Sequence, residues 1–245
     1  MIRIFAAIIV GTIIGVLLLL LVKFIIITFS YKYEKFIDFN RNNDIIMFDK
    51  KLSNCTLSIR NNILYLRNNY DKALYSSFDI RTFDTNVPYF NKIYECVKQQ
   101  TKKTNILVLG FGLGAIPLYL SQDKDINLID SVDNDNELFS NFKLIFPNHS
   151  RKIKLHYSDA NKFLTTCTKK YDIIIDDVFN GLNKIELNYK LLKNKLNYNG
   201  TLLINNYDVN FKNIPIINKI KKIFNQGTDY KLNISRQTVY AFNNI

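Results

Sequence analysis

The chain has 245 residues and a formal charge of +12, from 33 Lys+Arg against 21 Asp+Glu, and 47% of its residues are apolar. That apolar share can bury a core, which excludes disordered and collagen-like classes. Three cysteines (Cys55, Cys96, Cys167), none in a C-x-x-C pair, exclude a disulfide framework and carry no zinc pattern; two histidines (His149, His156) leave little room for a His-based metal site.

Ile4 to Val22 is a run of 19 uncharged, almost wholly apolar residues, resumed after Lys23 as Phe24–Phe29. As a helix it is about 28 Å long, close to a bilayer's hydrocarbon thickness. No A-x-A cleavage site follows, and a core helix of this length would carry a polar face. Residues 1–30 therefore read as a transmembrane anchor, held in the membrane through residues 4–29. Lys32, Lys35 and Arg41 follow the span and only Arg3 precedes it, which favours a single-pass protein with its larger part cytoplasmic. Unpaired cysteines suit the same reducing compartment. Four N-x-[ST] triplets, at Asn54, Asn148, Asn199 and Asn233, are what an Asn-rich chain produces by chance, and no glycan is expected.

Residues 31–43 are polar and aromatic and read as a juxtamembrane linker. Residues 44–100 form a small β-rich segment plus a helix. Asp44–Phe48 is β-like, and Thr56–Arg60 and Ile63–Arg67 alternate around Asn61-Asn62, a hairpin signal. Residues 88–100 place Tyr89, Ile93, Cys96 and Val97 on one helical stripe.

Residues 101–245 have a different texture. Short apolar runs at Ile106–Leu109, Ile126–Val132, Ile153–His156, Ile173–Ile175 and Leu202–Ile204 alternate with amphipathic segments. Such strands are covered on both faces, as in a parallel sheet flanked by helices. Tyr230–Ile234 and Thr238–Phe242 lie too close together for a crossover and must pair antiparallel. The predicted fold is α/β, a mostly parallel sheet ending in an antiparallel hairpin. Charge concentrates late in the chain: residues 151–245 carry 16 Lys/Arg against 7 Asp/Glu, with Lys219, Lys221 and Lys222 clustered on a predicted helix. This is either a solvated helix face or a surface for anionic lipid or nucleic acid.

The chemistry-bearing residues sit where these strands end. The first strand runs into Gly110-Phe111-Gly112-Leu113-Gly114-Ala115, with Pro117 in the first turn of the following helix. Glycines there permit a tight turn and close approach of a ligand to the backbone, and the helix start suits an anion. Asp133 ends the next strand 23 residues after Gly110, an offset at which an acid meets the two hydroxyls of an adenine nucleotide's ribose. Asp135 reads as a helix cap. Ser158-Asp159-Ala160 follows the third strand, where Asp159 either caps a helix at 160–166 or accepts from an adenine amine. The fourth ends in Asp176-Asp177, of which only one can face the crevice, because adjacent strand residues point to opposite faces.

Together these residues resemble the class I S-adenosylmethionine-dependent methyltransferases, and within them the spermidine synthase-like group. The resemblance covers residues 104–205 best. It rests on the glycine loop with its Ile-Pro-Leu-Tyr-Leu helix, Val-Asp-Asn-Asp, Ser-Asp-Ala and Tyr-Asp-Ile-Ile-Ile-Asp-Asp. It implies a Rossmann-like domain and a transferase that uses S-adenosylmethionine or its decarboxylated form. Gly110, Gly112, Gly114, Asp133, Asp159 and Ala160 would hold that cofactor, Asp133 the ribose and Asp159 the adenine amine, with Asp177 as the catalytic acid beside the transfer site.

Three positions depart from the aminopropyltransferase pattern. Leu113 stands where an aspartate is found in the glycine loop, Asn180 where a second transfer-site acid is found, and Asn91, next to an alignable Tyr89, where another acid is expected. A polycation needs several carboxylates to replace its hydration, and a charge of +10 over residues 31–245 repels it. The expectation is therefore a membrane-anchored methyltransferase with an acceptor that the sequence does not name. The alternatives are aminopropyl transfer, a dinucleotide-dependent oxidoreductase (Gly110-x-Gly112-x-x-Ala115 also fits that fingerprint), and a non-enzymatic binder of nucleotide, lipid or nucleic acid.

Overall fold

The computed structural model describes residues 38–39, 45–70, 74–85, 87–99, 104–149, 151–181, 183–207, 214–224, 227–231 and 237–244. The expected anchor (1–30) lies outside them. Among the described residues no helix is long and apolar enough to cross a membrane.

Five strands, β1 (Asp38–Phe39), β2 (Ile45–Lys51), β3 (Cys55–Arg60), β4 (Ile63–Asn68) and β5 (Leu74–Asp79), form an antiparallel sheet in chain order. Asn61 and Asn62 turn β3 into β4 with φ of 50° and 66°, the left-handed pair that matches strand twist in a two-residue hairpin. The sequence reading misses β5, whose Ser76-Ser77 centre breaks the apolar signal. It also treats β1 as linker, although Asp38 and Phe39 pair with Ile46 and Ile45. Helix α1 (Pro88–Lys98) follows, with proline in its first turn and Tyr89, Phe90, Ile93, Cys96 and Val97 buried.

The remaining elements in chain order are β6 (Thr104–Leu109), α2 (Ala115–Ser121), β7 (Ile126–Asp133), α3 (Asn136–Ile145), β8 (Ile153–Tyr157), α4 (Ala160–Thr166), β9 (Tyr171–Asp176), β10 (Phe179–Asn180), β11 (Asn183–Lys184), α5 (Tyr189–Asn194), β12 (Leu196–Tyr207), α6 (Ile214–Phe224), β13 (Thr228–Lys231) and β14 (Gln237–Asn243). Seven of these strands make one sheet in the order β13-β14-β12-β9-β6-β7-β8, with β14 antiparallel to both its neighbours. The parallel sheet and its terminal antiparallel pair are as expected. The expected β-runs are shorter than the strands, because apolarity marks only the doubly covered interior: β12 extends from Leu196 to Tyr207 around the Leu202–Ile204 run.

Alternation along the strands divides the core in two. Ile106, Val108, Ile173, Ile175 and Leu203 face one side, packed with α1, α2, α3 and the first sheet's Leu57, Leu64, Leu66 and Phe78. Leu107, Leu109, Ile174, Leu202 and Ile204 face the other, packed with α4, α5 and α6. The first sheet thus shares its core with the face of the second that carries the glycine loop. On α6 the lysine cluster is partly engaged: Lys219 pairs with Glu186, and Lys221 lies 5.5 Å from the Tyr240 ring centroid.

Candidate active site

Parallel strands bring their carboxyl ends to one edge of the sheet, and there β6, β7, β8, β9 and β12 deliver the candidate residues together. The three glycines of the loop do different work. A Cβ on Gly110 would lie 2.3 Å from the Asp177 carbonyl oxygen, and one on Gly114 would lie 2.6 Å from the Phe142 ring, so both are glycine because the protein fills the space. At Gly112 a Cβ would meet only the Ser76 hydroxyl of β5, at 3.1 Å. Gly112 is thus the least crowded of the three, with a single side-chain neighbour and no backbone atom against it.

Asp133 is held beside that loop. Its Oδ2 accepts the Phe111 N–H at 2.8 Å and its Oδ1 accepts the Asp135 N–H at 2.9 Å. Burial raises its pKa, opposed by those bonds and by the Gly112 N–H. Those three N–H groups take three of the carboxylate's roughly four acceptor sites, which leaves about one for a ribose hydroxyl. Asp135 caps α3, accepting from the N–H groups of Glu137 and Leu138.

The Ser158 N–H donates to the Asp133 carbonyl at 2.9 Å, which places the third loop beside the second. Asp159 is exposed, and its Oδ1 caps α4 through the Lys162 N–H at 3.0 Å. One oxygen caps and the other remains for a donor, so the two readings of Asp159 are compatible. Ala160 is buried against the helix-covered face, and its methyl belongs to that core; only its backbone reaches the edge.

Asp176 and Asp177 separate as the strand geometry requires. Asp176 turns to the α5 side, wholly buried, where Lys184 and Tyr189 bind it. Asp177 turns to the opposite face. The Asn205 amide donates to its Oδ1 at 2.7 Å and the Tyr89 hydroxyl to its Oδ2 at 3.3 Å. Burial raises the Asp177 pKa to about 6, against the lowering effects of Asn205, Lys184 and Tyr89. Burial and the Asp177 charge hold the Tyr89 phenol protonated far above its ordinary range. The Asn205 amide oxygen is buried without a hydrogen-bond partner among the described residues. Asn205 and Lys184 escape sequence reasoning, because an asparagine in an Asn-rich chain and a lysine in a Lys-rich one carry no signal. Asn180, on β10, is exposed.

A seven-stranded sheet of this order, with a glycine loop after its first strand and acids after the next three, defines a class I S-adenosylmethionine-dependent methyltransferase fold. The chain belongs to the spermine/spermidine synthase domain family, whose model matches residues 86–237. Among curated proteins none matches the chain in sequence. Similar solved structures include a probable spermidine synthase from Corynebacterium glutamicum, with TM-score 0.66, 14% identity and 80% of each chain covered. The spermidine synthase from Thermotoga maritima aligns with TM-score 0.56 and 11% identity over 82% of this chain and 73% of its own. Human methyltransferase-like protein 13 in complex with SAH aligns with TM-score 0.51 and 17% identity over 57% and 71%. At these identities the likeness is one of fold. Family membership makes the chain a spermidine synthase-like, S-adenosylmethionine-dependent transferase.

Proposed function

We propose that the protein is a methyltransferase of spermidine synthase-like type, tethered to a membrane through residues 4–29 with its catalytic domain cytoplasmic. The lightly crowded backbone at Gly112 and the acceptor sites left on Asp133 and Asp159 fit an adenosine, so Gly112, Asp133 and Asp159 would hold S-adenosylmethionine. When bound, that group supplies an electrophilic carbon on a sulfonium. The protein's part is to position an acceptor and take its proton. Asp177 does the second: a carboxylate with a pKa near 6 is ionised at neutral pH and basic enough to receive a proton from an attacking amine or hydroxyl.

The observation that carries methyl over aminopropyl transfer is that, among the described residues, Asp177 is the one transfer-site acid of the expected set on this side: Asp176 is turned away and paired with Lys184, and residue 180 is asparagine. A diamine would meet one carboxylate where its two charges need several. The Tyr89–Asp177 contact and the family match favour aminopropyl transfer as the second reading.

Calorimetric titration of the full-length protein in detergent is the test. S-adenosylhomocysteine should bind, and Asp133→Ala should weaken it by about tenfold or more, since each hydrogen bond to a charged group contributes roughly 1.5–3 kcal/mol. Absent binding, or affinity unchanged by Asp133→Ala, would overturn the assignment. Spermidine formed from decarboxylated S-adenosylmethionine and putrescine would replace methyl transfer with aminopropyl transfer.

A further inference from the structure

Directly after Asp177 the chain makes a two-strand hairpin, β10–β11, which ends at Lys184. The Lys184 and Asp176 side chains are both wholly buried, and they pair at 2.5 Å. The ammonium also donates to the Asp176 carbonyl at 3.0 Å and lies 4.7 Å from the Phe179 ring centroid. Tyr189 supplies the second oxygen of Asp176 with a hydroxyl at 3.0 Å. A buried pair of this kind is weak evidence for stability, because apolar residues of similar volume often replace one at no loss.

Its location relates it to the transfer site instead. Asp176 is covalently next to Asp177, whose N–H donates to the Leu109 carbonyl at 2.8 Å and whose carbonyl lies against Gly110. Tyr89 from α1 and Asn205 from β12 bond the Asp177 carboxyl, and one residue back along the chain, on the other face, lies the Asp176–Lys184 pair from the end of β9 and the hairpin. Lys184 is the one cation in that set. Its charge lowers the Asp177 pKa and that of Asp176 raises it.

We propose that Lys184 is a positioning residue for the transfer carboxylate: locked on Asp176, it pins the 179–184 hairpin across the end of β9 and presents a fixed positive charge to Asp177 from the opposite face of the sheet. The inference rests on the reading above, in which a sulfonium lies beside Asp177.

The test compares S-adenosylmethionine with S-adenosylhomocysteine by calorimetry on the full chain between pH 5 and 8. The two differ in the sulfonium charge, so their affinity ratio reports the ionisation of Asp177. In the native protein the ratio should rise through about pH 6, and Asp177→Asn should flatten it. Lys184→Met should move the rise upward by about half a pH unit or more, because a nearby cation favours the charged carboxylate. Lys184→Arg should leave it in place. S-adenosylhomocysteine affinity should stay within about threefold in both, which a merely unfolded variant would not show. Should Lys184→Met fail to fold with Asp176 left unpaired, the double variant Asp176→Asn/Lys184→Met removes both charges and should shift the rise upward by less.

A rise that keeps its midpoint in the foldable variant overturns the inference and leaves the reading standing. A native ratio independent of pH also overturns it, while the cofactor assignment to Asp133 survives. No binding of S-adenosylhomocysteine at all removes the reading, and the inference with it.

Discussion

Asp177 holds its proton more tightly folded than unfolded, because the folded carboxyl is desolvated: its pKa rises from 3.8 to about 6. A raised acid binds more protons in the native state between those values, so stability falls as pH rises from about 4 to about 6. The difference is on the order of 3 kcal/mol at neutral pH, taking roughly 1.4 kcal/mol per unit. Asp177→Asn should therefore abolish transfer while raising neutral-pH stability by about 1–3 kcal/mol and flattening its pH dependence. Urea unfolding of native and variant at pH 4.5 and 7.5 checks this; a variant less stable at pH 7.5 would count against it. Two glycines give an equally local test. Gly110→Ala forces a Cβ within 2.3 Å of the Asp177 carbonyl and should prevent correct folding. Gly112→Ala strains a φ of 55° at a cost of about 1 kcal/mol, presses on the Ser76 hydroxyl, folds, and should lose S-adenosylhomocysteine affinity at least tenfold by placing a methyl on the cofactor loop. Affinity retained in Gly112→Ala would place the cofactor elsewhere. The placement of the loop, Asp133 and Asp177 at strand ends is legible in the sequence because backbone rules tie glycine and acid to such positions. Tyr89 was alignable, but its bond to Asp177 spans 88 residues, a contact that local patterns do not encode.

At the scale of elements, the central sheet is stitched across strands by acids that have no place in the expected site. Asp130, midway along β7, is fully buried and accepts from Lys169 at 2.8 Å, from Tyr171 on β9 at 2.9 Å and from His156 on β8 at 2.7 Å. Desolvation opposes its charge, yet the bonds from His156, Lys169 and Tyr171 win and hold its pKa at about 2. A depressed acid stabilises above its unfolded pKa, so this contribution is complete above about pH 4 and is lost as pH falls toward 2. Asp130→Ala leaves Tyr171 and Lys169 without their acceptor and should cost about 3–5 kcal/mol at pH 7, read as a lowered urea midpoint with unchanged slope. A loss below about 1 kcal/mol would mean that the cluster is dispensable. The apolar runs revealed β6, β7, β8, β9 and β12 because doubly covered strands need continuous apolarity. They concealed Asp130 inside Ile126–Val132, where a single acid reads as an interruption until its partners on two other elements are in view.

For the whole molecule the deciding fact is that two sheets share one core. Phe78 of β5 is 1% exposed and stacks at 5.9 Å on Phe146, which also meets Phe142; Phe142 in turn packs on Phe111 of the glycine loop. The path from the first sheet to the cofactor loop is thus a chain of aromatic contacts, tightened at its rim by the Ser53 N–H to Glu137 and by Lys50 to Asn141. Detaching the first sheet would expose the surface on which the glycine loop rests, so the two sheets should unfold together. Phe78→Ala, in the first sheet, and Ile106→Ala, in the second, should lower the same transition, by about 3–5 and 2–5 kcal/mol respectively. The chain lacks tryptophan, so tyrosine emission and far-ultraviolet circular dichroism can follow it independently. Coincident curves from both probes, each raised by S-adenosylhomocysteine, are the expected result. If Phe78→Ala instead splits off an early transition that the ligand does not raise, the first sheet is an independent unit.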